Sequence, residues 1–118
     1  MSFDKAGQCE GIEIWRIENF EAVKYPKEKY GQFHVGDSYL VLKTAKTKGG
    51  KIVWDLHYWL GTETTQDEYG TAAIKAVELD DILGGAPVQY REIQEHESGL
   101  FRSLFKTGLS INKTYFSK

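Results

Sequence analysis

A chain of 118 residues, of which 41% are hydrophobic and 14% aromatic, is long enough to bury the core of one domain without disulfide bonds. Its formal net charge of −2 and pI near 5.9 argue against nucleic acid as the main partner, because that role normally requires a basic surface. The only cysteine, Cys9, excludes an internal disulfide and favours a reducing, cytoplasmic compartment, and no apolar run is long enough for a membrane span.

The first half of the chain predicts three strands. Residues 11–18 alternate apolar and charged side chains, as expected of a strand with one buried face. A nearly continuous apolar run at 37–44 favours a central strand that is covered on both faces. Lys48-Gly49-Gly50-Lys51 then predicts a turn into a partner strand at 52–60, so these two strands should form the middle of a sheet.

A long helix is predicted within residues 64–87. Thr65, with Glu68 three residues later, fits a capping box at its start. Gly84-Gly85, followed closely by Pro87, fits a left-handed stop at its end. Because both ends are marked, the residues between them can be assigned to faces from the helical period.

Apolar residues lie on two opposite faces of this helix. The wider face should dock the helix on its own domain. It comprises Ala72, Ala76, Leu79 and Leu83, with Ala73 and Ile82 at its flanks. A second stripe should face solvent. It comprises Gly70, Ile74, Val77 and Asp81. Aliphatic side chains framed by carboxylates indicate a helix that enters a partner's groove, but single exposed aliphatics are also common without any function, and the pattern alone leaves both interpretations open.

The remaining elements complete an α+β fold. Residues 88–93 alternate like a strand, and apolar residues with helical spacing at 98–105 predict a shorter helix on the opposite face of the sheet. The tail at 109–118 favours neither type of element. The order of elements implies a central mixed β-sheet of about five strands sandwiched between one long and one short helix.

An enzymatic function is not expected. The histidines are scattered along the chain, and no pattern of a catalytic triad, a cysteine–histidine pair or a phosphate-binding loop is present. Asp80 and Asp81 do not form a pair of catalytic acids, because neighbouring residues on a helix point in different directions.

Several segments closely resemble the first domain of the gelsolin, severin, fragmin and villin family. These segments are residues 36–43, 55–61, 66–73 and 77–81, and residues 84–91 are similar to severin and fragmin in particular. The resemblance runs in register from about residue 11 to residue 109. It implies a gelsolin-like domain over residues 11–118, with residues 1–10 as an N-terminal extension.

The resemblance implies a cytoplasmic actin-binding domain associated with the actin cytoskeleton. In similar domains the long helix enters the hydrophobic cleft between two actin subdomains at the filament barbed end, and calcium favours the complex. The residues that match this contact are Ile74, Val77, Glu78, Asp81, Gln89 and Arg91. The domain should therefore bind monomeric actin and cap barbed ends, and should contribute to severing only within a multi-domain protein. The alternative is an interaction or scaffold domain of the same fold with weak or no actin binding.

Two calcium (Ca2+) sites are implied by the same resemblance. An intradomain site would use the carbonyl of Gly36, the carboxylates of Asp37 and Glu68, and a tail carbonyl at Phe116. A second site, shared with an actin carboxylate, would use the carboxylate of Asp80 and the carbonyls of Gly85 and Pro87. Calcium prefers such oxygen ligands. From the residues alone, acids near a helix terminus are more often partners of the helix dipole.

The tail departs from the family pattern. Family members usually continue past a Gly-Gly-Val stretch, where this chain reads Lys113-Thr114-Tyr115-Phe116-Ser117-Lys118. Lysines at positions 106, 113 and 118 make only a sparse version of the family's phosphoinositide-binding stretch, so we do not expect lipid binding.

Overall fold

One mixed sheet of five strands organises the domain. The computed structural model describes Phe3, residues 5–105 and the backbone of residues 110–112. The strands of the large sheet are β1 (Gly11–Glu18), β2 (Glu21–Lys24), β4 (Ser38–Lys46), β5 (Ile52–Leu60) and β6 (Val88–Ile93). A separate pair joins β3 (Gln32–His34) to β7 (Ser110–Asn112). The helices are α1 (Gln66–Ile82) and α2 (Gly99–Ser103), and a 3-10 turn occupies Lys27–Lys29.

The order of strands in the large sheet is β2-β1-β4-β5-β6. Neighbouring strands are antiparallel except β5 and β6, which are parallel because α1 carries the chain back across the sheet. This arrangement, with one long and one short helix, confirms the expected α+β fold. The predicted strands at 11–18, 52–60 and 88–93 have the observed bounds, and the central strand begins one residue later than predicted and extends to Lys46.

The two faces of the sheet carry separate cores. The α1 side is mainly aliphatic, and its largest fully buried members include Trp15, Ile17, Leu40, Leu42, Leu56 and Leu79. The opposite side is mainly aromatic and is covered by α2, with Tyr25, Phe33, Tyr39, Trp59, Phe101 and Phe105 in contact. Strand β4 supplies residues to both cores, as its continuous apolar run predicted.

Helix α1 docks through a narrower face than predicted. Ala72, Ala76 and Leu79 are fully buried, and Leu83 packs against the same core. Ile82, in contrast, is 53% exposed, so its assignment to the docking face was wrong. At 3.6 residues per turn Ile82 lies roughly 90° from the centre of that face, so it lies at the edge of the face that docks on the sheet.

A buried hydrogen-bond network fastens α2 to the sheet. His57 on β5 and Glu92 on β6 are both buried, with 2.7 Å between Nδ1 and Oε2. The backbone N–H and hydroxyl of Ser98 donate to the two oxygens of Glu92 at 2.8 and 2.9 Å. Ser98 also accepts from the N–H of Phe101, which caps α2. His57 therefore has a structural role in this network.

Within the residues that the structure describes, no helix is long and apolar enough to cross a membrane.

Candidate functional site

The outward face of α1 presents aliphatic side chains to solvent. Ile74 is 62% exposed and Val77 is 53% exposed, although both belong to a helix whose opposite face is fully buried. Glu78 and Asp81 are also exposed and lie on the same side by helical period. The structure therefore places these predicted contact residues together on one accessible face, which we call the outward face.

Acidic groups frame the outward face. Lys75 lies at its border and binds Glu78 at 3.1 Å and Glu21 of β2 at 3.6 Å. Burial acts to lower the pKa of Lys75, but the hydrogen bond and charge of Glu78, together with Glu21, outweigh it and raise that pKa above its ordinary value. Lys75 is consequently a fixed cation that compensates Glu78 more than it compensates Asp81.

Gln89 and Arg91 lie beside α1 and are bound to it. The amide of Gln89 donates to Oδ2 of Asp80 at 2.5 Å. The guanidinium of Arg91 donates to the hydroxyl of Tyr69 and lies 5.3 Å from the centre of its ring. Both residues are exposed on the edge strand β6, so they border the outward face while they tie that strand to the helix. The family resemblance implied that they lie near the actin contact, but it did not indicate these partners within the domain.

The candidates for an intradomain cation site meet where β4 and α1 begin. Gly36 and Asp37 directly precede β4 and are buried. Oδ2 of Asp37 accepts a hydrogen bond from the hydroxyl of Tyr39 at 3.3 Å. Burial, nearby Tyr25 and the Asp37 carboxylate raise the pKa of Tyr39, which keeps its hydroxyl protonated as a donor.

Glu68 is linked to this strand end through two hydroxyl groups. Its N–H donates to Oγ1 of Thr65 at 3.1 Å, as the capping box predicted. Its Oε1, however, accepts from the hydroxyl of Thr64 at 3.3 Å. Oγ1 of Thr64 lies 2.7 Å from Oγ of Ser38, the neighbour of Asp37. The two predicted carboxylates are thus brought to one region, and Phe116 lies outside the described residues.

Gly61, the residue after β5, allows this approach, and no sequence pattern indicated that role. Its N–H donates to the carbonyl of Asp37 at 3.1 Å. A Cβ at this position would lie 2.2 Å from the carbonyl oxygen of Val35 and 2.9 Å from that of Asp37. Only glycine permits such a close backbone contact.

The candidates for the second cation site cluster at the C-terminal end of α1. Oδ1 of Asp80 is buried and accepts no hydrogen bond from any described residue. The N–H of Gly85 donates to the carbonyl of Asp80 at 2.8 Å, and φ is +76° at Gly84 and +75° at Gly85. An unsatisfied buried carboxylate oxygen is costly, and a divalent cation would satisfy it. The donor set of Asp80 with the carbonyls of Gly85 and Pro87 is therefore suitable for calcium.

Side chains alone do not form a complete cation site in the described part of the chain, where no group of three or more His, Cys, Asp or Glu residues could hold a metal ion. Calcium commonly draws part of its shell from backbone carbonyls and water. Either candidate site would therefore depend on carbonyl oxygens in addition to its carboxylates.

A cleft of about 270 Å³ beside the start of α1 was not predicted. Its lining includes Asp67, Glu68 and the turn Asn19-Phe20 that joins β1 to β2. Both turn residues have positive φ, +49° and +63°, and Phe20 is 65% exposed. A large aromatic residue is unusual in this conformation, which two-residue hairpin turns reserve mainly for glycine and asparagine. The sequence signal for this turn was Asn19, because asparagine is one of the residues that hairpin turns favour at positive φ.

Comparisons with known proteins agree with this architecture. The family model described as Gelsolin repeat matches residues 19–102. A cytoplasmic gelsolin from Homarus americanus is 65% identical over 112 residues, which are 95% of this chain and 15% of that protein. Villin-2 from Arabidopsis thaliana is 59% identical over 105 residues, covering 89% of this chain and 11% of the relative. An actin depolymerising venom protein, gelsolin 1, from Platymeris rhadamanthus is 61% identical over 106 residues, covering 88% and 28%.

A solved structure, the Thorarchaeota 2DGel3/rabbit actin complex, contains a similar fold. The TM-score is 0.70 at 24% sequence identity, over 91% of this chain and 50% of that one. The chain thus spans a small part of the length of its sequence relatives and half of the matched structure. These matches also support the expectation that the domain is not an enzyme. On the strength of the family model and the high identity to gelsolins and villins, the chain belongs to the gelsolin-repeat family.

Proposed function

We propose that this domain binds actin through the outward face of α1, inserting Ile74 and Val77 into the hydrophobic cleft of an actin subunit. The observation that carries the proposal is that two aliphatic residues are more than half exposed on the face opposite the buried one. Relatives named gelsolin and villin, and a structural neighbour solved with actin, support the choice of partner.

Two kinds of interaction would stabilise the complex with actin: burial of apolar side chains, and charge pairing at the border of the contact. Transfer of the exposed parts of Ile74 and Val77 out of water would contribute about 1 to 2 kcal/mol each. Asp81, which lies on the same face, would pair with a basic group of actin, and border charges of this kind set orientation and association rate more than affinity. Gln89 and Arg91, already bound to α1, would contact actin at the edge of the same surface.

We further propose that calcium strengthens this complex. Asp37 and Glu68, with the carbonyl of Gly36, would hold an intradomain ion, and Asp80 with the carbonyls of Gly85 and Pro87 would hold a second ion completed by actin. A bound calcium ion would supply positive charge that offsets the carboxylates of these sites. An ion that binds only the complex shifts the equilibrium toward it in proportion to its concentration over its dissociation constant.

The resulting role is that of a calcium-regulated domain in the cytoplasm that sequesters actin monomers and caps filament barbed ends. Severing requires one domain to hold the filament while another displaces the adjacent subunit, so we assign it only to a longer protein that contains this domain. The alternative role, a scaffold domain of the same fold, corresponds to a chain that does not bind actin with or without calcium.

The proposal is tested by titrating labelled monomeric actin with the chain in calcium and in chelator, using the variant Ile74→Asp. A charge placed in the cleft without a partner should weaken binding at least about a hundredfold. Val53→Asp is the matched control, because Val53 is also an exposed aliphatic but lies on β5. Equal affinities for wild type and Ile74→Asp would exclude insertion of the helix, and no binding by wild type would favour the scaffold role.

A further inference from the structure

The N-terminal segment is part of the core on the α1 side of the sheet. Phe3 is only 6% exposed, and its ring meets that of Trp15 edge-on, with 5.1 Å between the ring centres. Ala6 is buried in the same core, and its N–H donates to the carbonyl of Phe3 at 3.1 Å. We call Phe3, Ala6 and Gly7 the N-terminal strap.

Gly7 joins the strap to both the sheet and the helix. Its N–H donates to Oε1 of Glu13 at 2.9 Å, and its carbonyl accepts from Nε1 of Trp54 at 3.0 Å. Its φ is +72°, and a Cβ there would lie 2.6 Å from Nε1 of Trp54 and 3.1 Å from Cδ2 of Leu83. A side chain at position 7 would therefore collide with Trp54 and press against Leu83, and the backbone of Gly7 passes close to both side chains.

Leu83 is the last residue that anchors α1 before the glycine pair that ends the helix. It is the C-cap of the helix, and its side chain packs against the α1-side core. Gly84 and Gly85 follow with positive φ, and residues 84–86 are exposed. Two glycines can adopt many backbone conformations, so the direction of this turn depends on the contacts that hold Leu83.

The end of α1 is also intrinsically weak. Within α1, all of whose residues are described, the last turn contains no basic residue, and Asp80 and Asp81 place negative charge at the negative end of the helix dipole. Carboxylates at that end favour fraying, so tertiary contacts must supply the order. The strap, whose Gly7 passes close to Leu83, is one such contact, and the hydrogen bond from Gln89 of β6 to Asp80 is another.

We propose that the N-terminal strap is a positioning element for the actin-binding end of α1. By holding Leu83 it fixes the last turn of the helix, and with it the orientation of Asp80, Asp81 and the turn at Gly84-Gly85. The effect of the strap on actin binding rests on the proposed function. Its effect on the order of the helix end is a property of the domain alone.

The test uses the full chain with two strap variants and one control. Gly7→Ala places a methyl group against Leu83 and Trp54, and Trp54→Phe removes the indole donor with part of the aromatic surface while keeping one ring. Cys9→Ser is the matched control, because Cys9 is exposed in the same segment. Amide hydrogen exchange reports the order of the helix end, and titration with monomeric actin in calcium reports its consequence.

Both strap variants should accelerate exchange of the amides at residues 83–85 by about tenfold and leave the amides in the first two turns of α1 unchanged. In Cys9→Ser, exchange at both places should match that of wild type. Actin affinity should fall by about three- to tenfold. Unchanged exchange at 83–85 in a folded variant would overturn the proposal, as would faster exchange with wild-type actin affinity. If Gly7→Ala does not fold, Trp54→Phe decides. Failure of wild type to bind actin would instead refute the proposed function, while the exchange data would still decide whether the strap orders the helix end.

Discussion

Replacing Gly61 by alanine should be among the most damaging small substitutions in the domain. The added Cβ would lie 2.2 Å from the carbonyl oxygen of Val35 and 2.6 Å from its carbon, which are backbone atoms that cannot rotate away. Gly61 or Val35 must therefore move by more than an ångström. That movement would disrupt the bond from Gly61 N–H to the Asp37 carbonyl at 3.1 Å and the bond from Glu63 N–H to the Val35 carbonyl at 2.8 Å.

The expected loss of stability follows from these contacts. Two backbone hydrogen bonds contribute about 1 kcal/mol each, and steric overlap in a packed region adds about 1 to 3 kcal/mol. Gly61→Ala should therefore lower the free energy of unfolding by about 3 to 5 kcal/mol, a large part of the 5 to 15 kcal/mol typical of a domain. Because Gly61 also joins Asp37 to the loop that carries Thr64, stabilisation of the domain by calcium should decrease in the same variant.

The assay is urea denaturation with and without calcium, and Gly70→Ala provides a matched control. Gly70 lies within α1, and no atom lies within 4 Å of its added Cβ. The same chemical change should there stabilise the domain by about 0.5 to 1 kcal/mol, since alanine favours a helix. The reasoning would be refuted if Gly61→Ala unfolded within about 0.5 kcal/mol of wild type.

Three further predictions concern the site and its surroundings. Asp80→Asn should weaken actin binding about tenfold or more in calcium and little in chelator, as measured by paired titrations, and an equal loss in both conditions would contradict a cation at Asp80. Phe20→Gly should raise the free energy of unfolding by about 0.5 to 1 kcal/mol, because glycine relieves the positive φ of the turn, and thermal denaturation would show no gain if that conformation were unstrained. Burial raises the pKa of Tyr39, so the unfolded chain loses this proton first, and the free energy of unfolding should fall as pH rises above 10.0. Denaturation series at pH 8 and 11 should show a smaller fall for Tyr39→Phe, and an identical fall would assign the effect to other groups.

Much of the fold was predictable because its signals are local. The alternation at 11–18, the continuous apolar run of β4 and the Thr65 cap of α1 each depend on a few neighbouring residues. Strands β2 and β3 were not predicted, since four and three residues are too few to show a period and their pairing is decided by the strands beside them.

The candidate site was likewise predictable only where its signals are local. Helical period alone turned Ile74 and Val77 outward, and the structure agrees. The bonds from Gln89 to Asp80 and from Arg91 to Tyr69 join residues that are 9 and 22 positions apart, so no local pattern could show them. The exposure of Ile82, at the edge of the docking face, likewise depends on which distant segments cover that edge.

By itself the sequence determined the longer elements, the two opposite faces of α1 and the family resemblance, because periodicity and motifs are recorded in neighbouring residues. The tertiary structure decided which groups are adjacent: Gly61 against Val35 and Asp37, Glu68 with Thr64 and Ser38, and the N-terminal strap against Leu83. These contacts arise when distant segments fill the same space at close-packed density. Their consequences for the ends of α1, where the candidate cation sites lie, could therefore be derived only from the folded chain.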